Sequence, residues 1–236
     1  MTAKPAVSKV ATRQLDALET RLCLELPYSV REWYSHFNAI ETLAVCSNDD
    51  HPIPIQEFEL EQWKSHTFLP FKIENQGVCR WAISLDGSVD PPIFVNVEEA
   101  GWIAHADTFS RHVYSCVWDH ATVFAKPGLV QAQNVPISSS TLNNLATHFT
   151  AEIRTFGWPG QTQYRFAGDR QTILIWSNEH QADWFVAADD TDTLHSLLEL
   201  IWPLDAVGAA LYGCSEMGCM ALKLIISERV SKEARL

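Results

Sequence analysis

The first apolar pattern along the chain has helical spacing. Ala11, Leu15, Leu18 and Leu22 follow one another at intervals of four, three and four, one face of a helix read from Val7 to Leu24, and Pro27 ends the run. Ser29 precedes Glu32 by three residues, which is capping-box spacing. Val30, Trp33, Phe37 and Ile40 continue at 3-4-3 intervals, so the pattern predicts one amphipathic helix over 30–41. From Pro52 the rhythm changes, and Ile53, Ile55, Phe58 and Leu60 fall in a short extended or loop segment. Phe68–Ile73, Val78–Leu85 and Pro92–Val97 are rich in aromatic and β-branched residues and read as strands. Glu74–Gly77 and Asp86-Gly87-Ser88 supply the turns of an antiparallel meander. Phe109, Val113 and Val117 then mark one face of a helix over 109–123.

The second half repeats this mixture with different turn chemistry. Residues 127–140 (PGLVQAQNVPISSS) hold two prolines and no periodicity, and read as a linker. Ser139 or Ser140 caps a helix reaching about Phe156, closed by Trp158-Pro159-Gly160. Tyr164–Phe166 and Ile173–Trp176 flank Gly168-Asp169 as a hairpin, and Trp184–Ala187 adds a third strand. Asp190 or Asp192 caps a helix with the apolar stripe Leu194, Leu197, Leu198 and Ile201, ended by Pro203. The tail over 206–230 alternates small and apolar residues and supports no single element. The fold class predicted is α+β. N-terminal helices, an antiparallel β-meander and flanking helices occupy 1–126, a linker 127–140, and a smaller α+β extension 141–236.

A chain of 236 residues can hide roughly 70% of its extended surface, and 47% hydrophobic against 19% charged residues excludes a disordered or low-complexity protein. The N-terminus lacks the apolar core of a secretory signal. The longest apolar stretch, Leu194–Cys214, is broken by His195, Glu199, Pro203 and Asp205, so a soluble cytoplasmic protein is expected. Six scattered cysteines point to reduced, mostly buried thiols, with Cys214 and Cys219 packed near Gly213 and Gly218. Seventeen basic residues against twenty-nine acidic ones leave a formal charge of −12. That balance argues against direct binding of nucleic acid or of an anionic membrane, and favours a basic protein partner. The oligomeric state is not legible.

Candidate chemistry is sparse. His105, Asp107, His112, Asp119 and His120 form the densest group of metal-ligating residue types, yet without a helical ligand pair, so surface or helix-terminal hydrogen bonding is expected and no metal. Nucleophile elbows, phosphate loops and dinucleotide fingerprints are missing, which lowers the expectation of catalysis; no catalytic residue and no cofactor is assigned. Nine tryptophans are several times the usual share. Trp33, Trp81, Trp176 and Trp184 fit core positions, whereas Trp63, Trp102 and Trp158 lie at element ends, where a few could anchor a partner. Acidic residues cluster more tellingly. Seven lie between Arg31 and Lys64 and eight between Arg170 and Lys223, in both cases with no intervening lysine or arginine. Such stretches either keep a surface solvated or steer a basic protein.

The run Leu69-Pro70-Phe71, Glu74-Asn75-Gln76-Gly77-Val78-Cys79-Arg80-Trp81-Ala82, Asp90-Pro91-Pro92-Ile93, Trp102 and Phe109-Ser110 resembles the SUKH superfamily, as does the lead-in Leu26-Pro27 to Val30-Arg31-Glu32-Trp33-Tyr34. The likeness covers about 15–126. It implies an α+β domain that binds proteins: bacterial members commonly serve as immunity proteins that neutralise a toxin, often a nuclease, and fungal members act as regulators of cell-wall assembly. The resemblance carries no shared catalytic residues. A non-enzymatic, electrostatically assisted binder of a basic toxin is therefore expected, with Glu57, Glu59, Glu61, Asp86 and Asp90 as candidate contacts and Trp63 and Trp102 as candidate anchors. The alternatives are an intracellular scaffold or regulator without a toxin partner, and a metal-dependent enzyme using His105, Asp107, His112 and His120.

Overall fold

The computed structural model describes residues 6–46, 50–97, 101–156, 160–202 and 210–233. The chain divides into two compact units, Met1–Val117 with Thr155–Gly160, and Trp118–Arg154 with Gln161–Leu236. Each is built on its own antiparallel sheet packed with helices, and the fold is α+β.

In the first unit, helix α1 (Lys9–Leu22) starts at Ser8, whose hydroxyl accepts the Ala11 N–H at 3.2 Å, and buries Leu15 and Leu18 as its spacing predicts. The single helix expected over 30–41 is instead two, α2 (Tyr28–Ser35) and α3 (Ala39–Val45). Asn38 separates them at φ 62°, a left-handed conformation that asparagine tolerates, and this break turns Phe37 outward. The Ser29–Glu32 capping box does not form; Pro27 occupies the N-cap of α2 with no side-chain bond.

Strands β1 (His51–Pro52), β2 (Glu61–Trp63), β3 (His66–Ile73), β4 (Cys79–Ser84), β5 (Ile93–Val97) and β6 (Trp102–Ala106) form one sheet in the order β1-β3-β4-β5-β6, with β2 also on β3. Lys72 pairs with both Pro52 and Trp81, and Phe68 with both Glu61 and Ser84, so β1 and β2 share the edge of β3 that faces away from β4. The inner face packs Leu69, Phe71, Trp81, Ile83, Ile93 and Val95 against α1, α2, α3 and the start of α4 (Phe109–Asp119). Two register shifts alter that face. One falls between Pro70 and Lys72 and makes Phe71 the extra residue; the other, between Ile93 and Phe94, makes His105 the extra residue opposite β5.

The second unit starts in the last residues of α4 and continues through a π-helical turn, His120–Phe124. The expected linker over 127–140 is overturned: Gly128–Asn134 is strand β7, paired with β11 on one side and β12 on the other. Its polar look has a simple cause. Val130 and Ala132 are buried and alternate with Gln131 and Gln133, so the period is two although few of the strand's residues are strongly apolar. Helix α5 (Ser139–His148) is capped by Ser138 and ends well before Phe156, because Phe149 turns extended and β8 (Thr150–Ala151) joins the sheet. Trp158 and Pro159, expected to close that helix, and Pro203, expected to close the next, lie outside the described residues. Strands β9 (Thr162–Gly168) and β10 (Gln171–Ser177) form the expected hairpin around Asp169-Arg170, and β11 (Ala182–Ala188) is the third strand. Asp190 caps α6 (Thr191–Ile201), accepting the Thr193 N–H at 2.9 Å, and the stripe Leu194, Leu197, Leu198 and Ile201 is buried.

The tail resolves into β12 (Ala210–Cys214) and α7 (Glu216–Glu233). The sheet order is β12-β7-β11-β10-β9-β8, with α5, α6 and α7 against one face and Trp118 and Val123 against the other. The expectation of reduced, mostly buried thiols is corrected. Cys214 and Cys219 form a disulfide, because the turn at Ser215 brings their Cα atoms to 5.7 Å, and of the free cysteines only Cys79 is buried. Among the described residues, no helix is long and apolar enough to cross a membrane.

Candidate functional site

The residues singled out from sequence fall into two places in the first unit. The first runs from the short 3-10 turn Ile55–Glu57 into β2. Phe58 is fully buried, edge-on to Tyr34 at 5.4 Å, and Arg21 donates to the Phe58 and Gln56 carbonyls at 2.6 and 3.2 Å. The backbone is thus fixed from both sides, and Glu57 and Glu59, flanking Phe58, are exposed. Neither makes an ion pair among the described residues.

Glu61 differs. Its carboxylate meets the Arg80 guanidinium at 2.7 Å and accepts the Trp102 indole N–H at 3.2 Å. Trp102 is 8% exposed, stacked on Phe68 at 4.9 Å with Phe94 alongside, and Arg80 lies 5.5 Å from its ring. Ala82 leaves room for this layer on the outer face of the sheet. Glu61 and Trp102 are therefore engaged within the unit rather than presented to a partner.

Trp63 is presented. It is 38% exposed, next to the β2–β3 turn, with the Lys64 ammonium 5.8 Å from its ring. Its ring rests on Gly101, where an added Cβ would lie 2.5 Å from the Trp63 ring and the backbone sits at φ 70°. Only glycine meets both demands. Trp63 is an aromatic surface held on a rigid support, the kind of residue that carries interface energy.

The second place is the β4–β5 loop. Asp86 is exposed and accepts the Ser88 N–H and hydroxyl at 3.0 and 2.7 Å, closing the turn. Asp90 is half-buried and accepts the Ser110 N–H at 3.0 Å in the first turn of α4. Burial favours its neutral form, but the hydrogen bonds, led by that of Ser110, outweigh burial and hold the carboxyl below its ordinary range. Asp90 therefore caps a helix. Beside this loop lies an open groove of about 730 Å³, lined by Leu24, Glu25, Pro27, Tyr28, Leu85 and Val89.

The histidine group separates. Asp107 pairs with Arg111 on the surface, Asp119 pairs with the buried Arg165, and no group of three or more candidate ligands capable of holding a metal occurs among the described residues. His105 and His112 are not at the surface, as expected, but in the core, their rings 5.2 Å apart. Near them is an arrangement that the sequence pattern did not reveal. Lys72, 3% exposed, pairs with buried Asp50 at 2.8 Å and lies 3.8 Å from the centre of the Trp81 ring. Strict alternation puts Lys72 on the outer face with Pro70; the register shift at Phe71 turns it inward.

The acidic stretches are likewise less free than their composition suggests. Asp50 is paired in the core, Asp189 contacts Lys126 and Arg170, and Asp190 caps α6 and meets Arg170 at 2.7 Å. No protein-family model matches the chain, and neither does any curated protein or any solved structure.

Proposed function

We propose that this chain acts by binding a protein, and that its partner is a basic toxin, in the manner of the cytoplasmic bacterial immunity proteins of the SUKH superfamily that residues from about 15 to 126 resemble. The observation that carries the reading is the exposed pair Glu57 and Glu59, leading along a fixed backbone to the supported ring of Trp63. Two carboxylates that need no internal partner can give their charge to a ligand, and an aromatic surface beside them suits the aliphatic stems and guanidinium groups of a basic protein. A formal charge of −12 adds long-range attraction. Asp86, exposed on the β4–β5 loop, is a peripheral contact in this reading.

Co-expression of the full chain with basic toxins encoded beside its gene tests the proposal, scored by cell survival and co-purification. Wild type should rescue. The double variant Glu57→Lys/Glu59→Lys should still fold but associate with the toxin roughly 10-fold or more slowly. Undiminished rescue and binding by a folded double variant would reject this surface. Micromolar or weaker binding to several unrelated proteins would favour the scaffold reading instead, and saturable turnover of a small molecule, abolished by one side-chain replacement, would reject binding as the function altogether.

A further inference from the structure

We infer that the Cys214–Cys219 disulfide is a reversible thiol–disulfide exchange site that controls the pairing of edge strand β12 while the rest of its unit stays folded. The bridge joins the last residue of β12 to the first turn of α7 and closes a loop with a sequence separation of five. A loop this short constrains the unfolded chain least, so opening it removes little global stability. Cys214 is exposed, which gives an attacking thiolate a path to its sulfur. Cys219 lies near the N-terminus of α7, where backbone N–H dipoles stabilise a departing thiolate, against the nearby Glu216 carboxylate.

What stays in place when the bond opens is equally specific. The Ser215 hydroxyl accepts the Leu129 N–H at 3.0 Å and the Gly218 N–H at 3.1 Å, and the Ser215 N–H donates to the Leu129 carbonyl at 2.9 Å. The Cys219 N–H donates to the Ser215 carbonyl at 2.9 Å. A Cβ at Gly218 would come within 2.2 Å of the Leu129 carbonyl oxygen, so helix and strand are in backbone contact there. These contacts fasten α7 to β7 without the sulfur bridge. Strand β12 is at the edge of the sheet: among the described residues it pairs with β7 alone, and that pairing carries a register shift between Leu211 and Gly213. The disulfide ties its end to the anchored helix.

The exchange takes a dithiol as co-reactant. A dithiol thiolate attacks the Cys214 sulfur, the S–S bond breaks, and Cys219 leaves as a thiolate that takes up a proton. The second dithiol sulfur then displaces Cys214 and closes a cyclic disulfide. Two electrons and two protons pass from the dithiol to the cysteine pair, and a disulfide oxidant reverses the step.

Dithiothreitol added to the native, full-length protein is the direct probe, followed by alkylation with mass spectrometry and by hydrogen exchange. Reduction without denaturant should add alkyl groups at Cys214 and Cys219. Amide exchange over Ala210–Cys214 and at the β7 amides that face β12 should rise about tenfold or more, α7 and β8 through β11 should keep their protection, and oxidised glutathione should restore both properties. A Cys214→Ser/Cys219→Ser variant should show the faster β12 exchange with or without dithiothreitol; if that variant does not fold, the wild-type measurements alone decide. Three results overturn the inference: a bond that resists dithiothreitol until the protein is unfolded, reduction that unfolds the whole unit, or reduction that leaves β12 exchange unchanged.

Discussion

Asp90 shows how one side chain can carry a fold-level task that its charge alone conceals. Read by type, it is one more acid on an acidic protein; in place, it joins the entrance of β5 to the start of α4 through the Ser110 N–H. Replacing it with alanine should cost about 1 kcal/mol, the usual loss for a helix-start acceptor. The pH dependence has a definite sign. Because the folded carboxyl ionises below its ordinary value of 3.8, its stabilisation is present above that value and is lost as pH falls through the folded one. Denaturant melts of wild type and Asp90→Ala should therefore differ at neutral pH and converge as pH falls below the ordinary carboxylate range. Residue type also misled at Glu61 and Trp102. Both look like contacts, and both are engaged by neighbours distant in sequence, Arg80 and Phe68. Nothing in a linear pattern pairs position 61 with position 102.

At the level of elements, periodicity located what it could sense. Helix α1 and the α6 stripe follow their periodicity because one face of each is buried and the repeat is unbroken, whereas the strands from β3 to β5 and the β9–β10 hairpin are legible from their aromatic and β-branched runs and turn residues. Misreadings fall where the repeat is interrupted or diluted. A single left-handed Asn38 splits one expected helix in two; glutamines hide β7; the extra His105 obscures β6. The shift at Phe71 has the largest energetic consequence, since it delivers a lysine to the core. Lys72→Met should destabilise by about 3–5 kcal/mol, because it removes the ammonium group that pairs with the buried Asp50 carboxylate. Adding Asp50→Leu should recover most of that loss, measured as denaturant midpoints at constant slope. A double variant no more stable than Lys72→Met alone would show that the pair matters for more than mutual neutralisation.

Over the whole molecule, the governing quantity is the field of a chain with formal charge −12. Several of its acids are neutralised internally, so the net excess is concentrated on side chains such as Glu57, Glu59 and Asp86. For the proposed basic partner, this predicts an association rate that falls at least about tenfold as ionic strength rises from roughly 0.01 M to 0.15 M, over which the screening length contracts from about 30 to about 8 Å. Dissociation, set by close contacts such as those of Trp63, should change far less. Stopped-flow measurement across that range separates the two, and a salt-independent association rate removes steering from the mechanism.

The shared edge of β3 sets a rule for change in this surface. Because β1 and β2 dock in succession along one strand, the stretch between them is a bracket fastened at both ends, with its contour length fixed by the register of each. Around the buried anchors Ile55 and Phe58 the exposed side chains of the bracket can be exchanged, so the acids at 57 and 59 can vary in identity while their spacing endures. Inserting one residue would slide β2 by a step and turn Trp63 away from Gly101. Diversification here is thus open to point substitution and closed to insertion, a constraint under which a recognition surface can change its chemistry without losing its shape.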